Sequence, residues 1–322
     1  MLGIVLWLVY LVFATCSKMS PRLYLESLYP NQGCYSVIPI LGNKILDAQF
    51  HLDRIIRGYK LLTKENLLES DETLNERALE KIQCMLDAYG TPTTAAGIMT
   101  LVMHRTSSMH VTFDAICNTM NSDIYTSSKS PPHLFVDIHY YERRSPAAKD
   151  ISWPIERKVI EQSRYRKDIA ESLMCTKSLI YDGGTFSDVL TEGLISNFYA
   201  IEEGGVVVTS PDDIVLPGSM AKLIKGICLK NGIPYKHKLL CLSDIQSWRA
   251  TFICSSCKPL HCLAGIYVPP TSPRIGSDGF LHSFQKENDA SAITDFLKSE
   301  LSSFFQKAVG QSHIDAYGVK WF

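Results

Sequence analysis

The sequence predicts an α+β protein built in two parts, and three observations carry that expectation. Apolar residues recur at helical spacing in separate stretches, notably 52–62, 78–89 and 220–228. Between them lie short runs rich in Val, Ile and Leu, bounded by Gly and polar turn residues, which read as strands. The chain has 322 residues and is 46% hydrophobic, enough for two ordinary cores. Lys and Arg number 32 against 33 Asp and Glu, a net charge of -1. Nothing in that balance favours nucleic acid or a polyanionic surface, so a small-molecule partner is expected.

The first part is expected over 30–141. Tyr35 to Ile40 is a short apolar strand followed by a Gly-Asn turn at 42–43. Leu52, Ile55, Ile56, Tyr59 and Leu62 then give one helical face, with Arg54 beside the stripe. Ala78, Ile82, Met85 and Tyr89 give a second, stopped by Gly90. Ile98–Met103, His110–Ile116 and Leu134–Tyr140 read as a strand meander, interrupted by a polar loop at 118–132.

The second part is expected over 149–310, the two meeting around 141–149. Ile155, Val159 and Ile160 suggest a short charged helix. Val189–Gly193, Ser196–Glu202 and Val206–Thr209 follow as strands, with a Gly-Gly turn at 204–205. Met220, Leu223, Ile224, Ile227 and Cys228 form an amphipathic helix ended by Asn231-Gly232. Tyr235–Leu240, Phe252–Ser255 and Ala264–Val268 are strands, and Ile293 to Phe305 is a C-terminal helix.

Residues 1–18 form a separate apolar segment. It is short for a membrane span, which needs about 20 residues, and resembles the h-region of a signal peptide. No Lys or Arg precedes the run, so synthesis from Met19 explains it equally well. A secretory or organellar route competes with a cytoplasmic location, and membrane contact is expected only through this segment. Ten cysteines and no N-x-S/T sequon read as a thiol-rich protein rather than one framed by disulfides.

Two neighbouring constellations carry the chemistry. T-E-G-L-I-S-N at 191–197 puts Glu192 at a strand end, and L-P-G at 216–218 opens a helix. The amides of Ser219 and Met220 then lack intrahelical acceptors, an arrangement suited to phosphate; an ordinary capped helix is the bland alternative. Arg54, in F-H-L-D-R-I-I, has the fork geometry for the same anion, or else belongs to a solvated helix face. A carboxylate at about 4 Å from a cationic ring nitrogen is worth roughly 4 kcal/mol at an effective dielectric near 20. That decides a protonation state. An acid beside a phosphate cradle suits a phosphorylated, charged heterocycle such as pyridoxal phosphate. Lys149, in R-R-S-P-A-A-K-D-I-S-W, is a candidate amine for its aldehyde, though position alone does not select it over Lys167 or Lys177. Cys254, Cys257, His261 and Cys262 offer zinc ligands, but crowd into nine residues rather than two separated hooks; no metal is therefore expected. Ser255 and Ser256 in the same stretch are hydroxyls able to donate to a phosphate. No G-x-G-x-x-G, P-loop or G-x-S-x-G motif occurs.

Taken in order, F-H-L-D-R, R-R-S-P-A-A-K, T-E-G-L-I-S-N-F, L-P-G-S-M and T-F-I-C-S-S-C resemble the class IV (fold-type IV) pyridoxal-phosphate-dependent aminotransferases over roughly residues 30–270. That family includes branched-chain and D-amino-acid aminotransferases and aminodeoxychorismate lyase. The resemblance implies a two-domain D-amino-acid aminotransferase-like fold, with a small α/β domain and a larger domain with a barrel-like sheet. It implies Lys149 as the Schiff-base lysine, Glu192 as the ring-nitrogen partner and Arg54 as the phosphate arginine. Ser219 and Met220 match the phosphate-binding amides, and Ser256 a phosphate-contacting threonine. Amino-acid and 2-keto-acid substrates and a homodimer are likewise implied. An aminodeoxychorismate-type lyase and a non-catalytic relative of the fold are the alternatives. The chain departs from the family pattern at Trp153, where many members have tyrosine, at Cys254 and Ser256, and in a long Lys149–Glu192 interval with an unmatched stretch around 163–182.

Overall fold

In the computed structural model the described residues are 20–29, 32–42, 44–64, 67–89, 96–106, 110–121, 123–126, 134–164, 167–180, 185–268, 280–284 and 288–310. The apolar segment 1–18 and the Gly90 stop lie outside them. Among the described residues no helix is long and apolar enough to cross a membrane. The chain divides into two compact units, whose described residues fall within 20–121 plus 148–156, and within 123–147 plus 157–310.

The first unit is built on an antiparallel sheet of β1 (Gly33–Leu41), β2 (Lys44–Ile45), β3 (Ala96–Arg105) and β4 (Val111–Met120), in the order β2-β1-β3-β4. Helices Ala48–Thr63 and Asp71–Tyr89 bury Leu52, Ile55, Tyr59, Leu74 and Ile82 against Ile38, Met99 and Leu101 of the sheet. The helical stripes match the spacing of their apolar residues, and β1 and β3 are buried along almost their whole length. Helix Pro21–Leu28, which no sequence signal singled out, starts with Ser20 accepting from the Leu23 N–H and with proline in its first turn. Its Leu25 packs with Tyr35, Val102 and Ile151.

The second unit holds a ten-stranded sheet whose central six strands close on themselves. Its strands are β5 (Leu134–Tyr140), β6 (Ile169–Ile180), β7 (Thr185–Gly193), β8 (Asn197–Ile201), β9 (Val207–Thr209), β10 (Tyr235–His237), β11 (Leu240–Cys241), β12 (Ala250–Ser255), β13 (Lys258–Val268) and β14 (Phe280–Ser283). The path β8-β12-β13-β5-β6-β7 returns to β8 through one pairing, Glu192 opposite Asn197. Closure gives each of these six strands a partner on both sides. Val136, Ile138, Leu173, Leu190, Phe198, Ile253 and Ile266 make its main apolar cluster. Helices Ser219–Lys230 and Asn288–Gly310 flank the sheet.

Two expectations about the division are corrected. Leu134–Tyr140, expected in the first part's meander, runs parallel between β13 and β6 in the second unit. Segment 148–156, Lys149 included, belongs to the first unit instead of opening the second: Cys34 bridges Asp150, and Ile151 N–H donates to the Gly33 carbonyl. Strand pairing across distant segments, absent from any local pattern, decides both. Strand β6 fills much of the stretch left unmatched at 163–182, and its residues 171–175 are all buried. A strand covered on both faces shows no alternation to read.

Candidate functional site

Glu192 is the penultimate residue of β7, and the turn after it is built by a second buried acid. Glu171 Oε1 on β6 accepts from the Ile195 N–H at 2.9 Å and from Ser196 Oγ at 2.8 Å, while Lys258 Nζ reaches Oε2 at 3.2 Å. Gly193 N–H donates to the Ser196 carbonyl at 2.8 Å. A Cβ on Gly193 would lie within about 2.5 Å of Glu171 Oε1 and against Ser196 Oγ, so the glycine is set by close approach. This turn brings Asn197 opposite Glu192 and closes the barrel.

The facing pair then grips one residue from both sides. Glu192 Oε2 accepts the Leu216 N–H at 3.0 Å, and Asn197 Nδ2 donates to the Leu216 carbonyl at 2.7 Å. Two residues further on, Gly218 stands at the N-cap of helix Ser219–Lys230, in extended conformation and without a side-chain cap. A Cβ there would run into Asn197 Oδ1, so glycine is required. The same glycine leaves the first-turn amides, those of Ser219 and Met220 among them, with no capping side chain. Ser219 Oγ lies 3.4 Å from Ser256 Oγ in the β12–β13 turn. That turn is fixed by Tyr125, whose hydroxyl donates to the Ser256 carbonyl at 2.5 Å. An anion is held well at such a helix start, with two hydroxyls beside it.

The other oxygen of Glu192 is taken by Arg143, which sequence reasoning missed. Its Nη1 lies 2.7 Å from Glu192 Oε1, with side chains only 8% and 5% exposed. The R-R-S-P run was visible, but nothing in it distinguishes Arg143 from Arg144. The pair borders a cavity of about 280 Å³ lined also by Met174, Thr176, Thr191 and Asp213. A buried carboxylate of this kind stabilises a cation, or a nitrogen that carries a proton, facing it. Asn197, Glu171 and Lys258 were likewise not singled out, because their roles depend on which strands meet.

Lys149 and Arg54 lie in the first unit, and both are tied to β1. The Lys149 carbonyl accepts from the Tyr35 N–H at 2.9 Å, and its Nζ sits 5.3 Å from the centre of the Tyr35 ring. Gly58 of helix Ala48–Thr63 lets this segment approach: a Cβ there would meet Cys34 Sγ at 3.1 Å and Ala148 Cβ at 3.3 Å. Trp153 is buried at the start of helix Trp153–Gln162. Arg54 is no solvated helix residue. It is 4% exposed and donates from Nη2 to Ser36 Oγ at 2.6 Å, on the residue next to Tyr35. Burial, opposed by Tyr35 and aided by Arg57, draws its pKa down to about 10. Glu192, Ser219, Met220 and Ser256 all fall in the second unit.

The cysteine-rich stretch is divided between β12, its turn and β13. Among the described residues no group of three or more His, Cys, Asp or Glu is arranged to hold a metal ion, and the nine described cysteines are free. Burial pushes the Cys254 thiol far up, so it stays protonated.

Comparison with known proteins adds three structures and one family. An aminotransferase of Mycobacterium tuberculosis described as hypothetical, in its PLP-bound form, is similar at 13% identity and a TM-score of 0.62, over 86% of this chain and 90% of that one. A branched-chain amino acid aminotransferase of Escherichia coli matches at 12% identity and a TM-score of 0.61, over 87% of each chain. A putative 4-amino-4-deoxychorismate lyase of Legionella pneumophila matches at 16% identity and 0.58, over 88% of this chain and 97% of that one. At such identities the likeness shows the fold. No curated protein sequence matches the chain. The model of the amino-transferase class IV family matches residues 33–261, most of the chain and every site residue discussed above. The chain therefore belongs to the class IV aminotransferase family.

Proposed function

We propose that the protein is a pyridoxal-phosphate-dependent aminotransferase that moves an amino group from an amino acid, of branched-chain or D type, to a 2-keto acid. One observation carries this reading. A buried carboxylate is fixed by the Leu216 N–H, and Leu216 stands three residues ahead of the uncapped helix start at Ser219. A proton-holding acid and an anion cradle are thus built by one short segment within one unit. The donor set of this unit fits a phosphorylated pyridine: N–H and O–H donors at the cradle, and at the acid a carboxylate that it shares with Arg143. When bound, pyridoxal phosphate supplies an aldehyde that captures amines and a ring that takes up electron density.

Each residue has a separate task in this reading. Lys149 would supply the amine that holds the cofactor and, as a free amine, would hold and move the proton at the substrate α-carbon. Glu192 keeps the ring nitrogen protonated. Arg143, by sharing the carboxylate, orients Glu192. Arg54, the Ser219 and Met220 amides and the Ser256 hydroxyl hold the phosphate, which positions without reacting. Support for the substrate class comes from the neighbouring folds: the similar structures include branched-chain aminotransferases, one with norvaline, and the Mycobacterium tuberculosis protein was also determined with α-ketoglutarate.

The test is an absorbance spectrum of the purified full-length chain with pyridoxal phosphate, before and after borohydride, followed by mapping of the labelled peptide. Label on Lys149, lost in Lys149→Ala, is the expected result. Label on another lysine removes Lys149 from its role, and no bound cofactor at all makes the protein a non-catalytic member. Amino acid supplied with and without a keto acid then separates transamination from a lyase reaction, which releases pyruvate without the keto acid. Light scattering checks the homodimer that the reading includes.

A further inference from the structure

Arg54 is held by a closed ring of three side chains, all of them buried. Its Nη2 donates to Ser36 Oγ at 2.6 Å and lies 3.2 Å from His51 Nδ1, and Ser36 Oγ lies 2.8 Å from the same nitrogen. Ser36 and His51 are both fully buried. Arginine only donates, so Nη2 gives a hydrogen to Ser36 Oγ, and the same hydroxyl is hydrogen-bonded to His51 Nδ1, the donor of that second bond being set by the imidazole tautomer. His51 stands one turn before Arg54 on helix Ala48–Thr63, so the two share a face, and Ser36 meets them from β1. The Phe50 ring, 5.3 Å from the guanidinium carbon, closes another side.

From this geometry we propose that His51 and Ser36 are positioning residues for the phosphate-binding arginine: an imidazole and a hydroxyl fix one arm of the Arg54 guanidinium so that the fork is pre-set for a phosphate. The inference rests on the assignment of Arg54 given above. A long, flexible arginine loses rotamer freedom when it closes on a ligand, and an arm fixed beforehand lowers that cost. The contribution belongs to phosphate recognition and to no other part of the cofactor.

Equilibrium binding of pyridoxal phosphate and of phosphate-free pyridoxal to the full-length chain, followed by absorbance, tests it. His51→Ala is expected to weaken binding of pyridoxal phosphate about ten- to hundredfold while leaving pyridoxal within about twofold. Arg54→Ala should show the same selectivity, the double variant should be no worse than Arg54→Ala alone, and His51→Asn should recover part of the loss through its amide group. If His51→Ala does not fold, Ser36→Ala opens the same ring from the other side and must show the same selectivity. Equal losses for both ligands, or losses that add to those of Arg54→Ala, overturn the proposal. If Arg54→Ala discriminates between the ligands and the His51 and Ser36 variants do not, only the positioning role fails. If Arg54→Ala itself treats both ligands alike, the assignment of Arg54 to the phosphate fails.

Discussion

Replacing Glu192 by Gln keeps the shape of the side chain and removes its charge, which isolates the worth of the Arg143 pair. The two groups are separated by 2.7 Å with almost no exposure, and the second carboxylate oxygen already accepts the Leu216 N–H. At about 4 Å between charge centres and an effective dielectric near 20, the attraction is about 4 kcal/mol. Removing one partner of a buried pair costs about 3–5 kcal/mol, because the remaining charge stays in a medium that solvates it poorly. The amide of Gln can still accept the Leu216 N–H, so about 2–4 kcal/mol of destabilisation is expected. Urea unfolding of the cofactor-free protein should show a lower midpoint at unchanged slope. Arg143→Met alone should cost a similar amount. The double variant Arg143→Met with Glu192→Leu should come within about 1 kcal/mol of the parent, since the desolvation of both ions is relieved together. It should at the same time lose cofactor binding. A Glu192→Gln protein as stable as the parent, or a coupling below about 0.5 kcal/mol, would refute the buried pair. If confirmed, the pair contributes little net stability, and its retention is a matter of function.

Two further outcomes follow from the same unit. Gly193→Ala should destabilise by about 2–3 kcal/mol in urea, because the new methyl must displace Glu171 and Ser196, which are held by hydrogen bonds to each other and to the turn; an effect below 0.5 kcal/mol would show that the turn gives way freely. His261 has its pKa lowered from 6.5 to about 4, first by burial and then by Lys258 and Lys298. Between those values the unfolded chain takes up a proton that the folded one does not. Stability is therefore full above about 6.5 and falls as the pH drops toward 4. Discounted for partial exposure, the loss is about 1–2 kcal/mol, and His261→Gln should flatten the stability profile in that window.

The sequence carried the local features of the site well. T-E-G-L-I-S-N and L-P-G-S-M were legible as a turn and as a helix start because Gly, Pro, Ser and Asn punctuate the chain locally, while the side chains that require those glycines, Glu171 and Asn197, lie more than twenty residues away. Long helices were legible too, since one face of a 3.6-residue repeat must be apolar wherever the helix packs. Arg54 reads as a solvated charge by its type, and only its partners Ser36 and His51 show it to be interior. Strand β6 hid because burying Glu171 and Ser172 beside Leu173 erases any alternation.

By itself the sequence determined the helices, most strands and the family motifs, and it nominated the candidate residues for a phosphate and a ring nitrogen. The tertiary structure alone decided that Leu134–Tyr140 lies between β13 and β6, that the barrel closes where Glu192 meets Asn197, and that Arg143 shares the acid. The physical reason is range. Helical periodicity and capping act over a few residues, whereas strand order, the close approach of a glycine to a packed side chain and the partner of a buried charge depend on segments dozens of residues apart that only folding brings within reach.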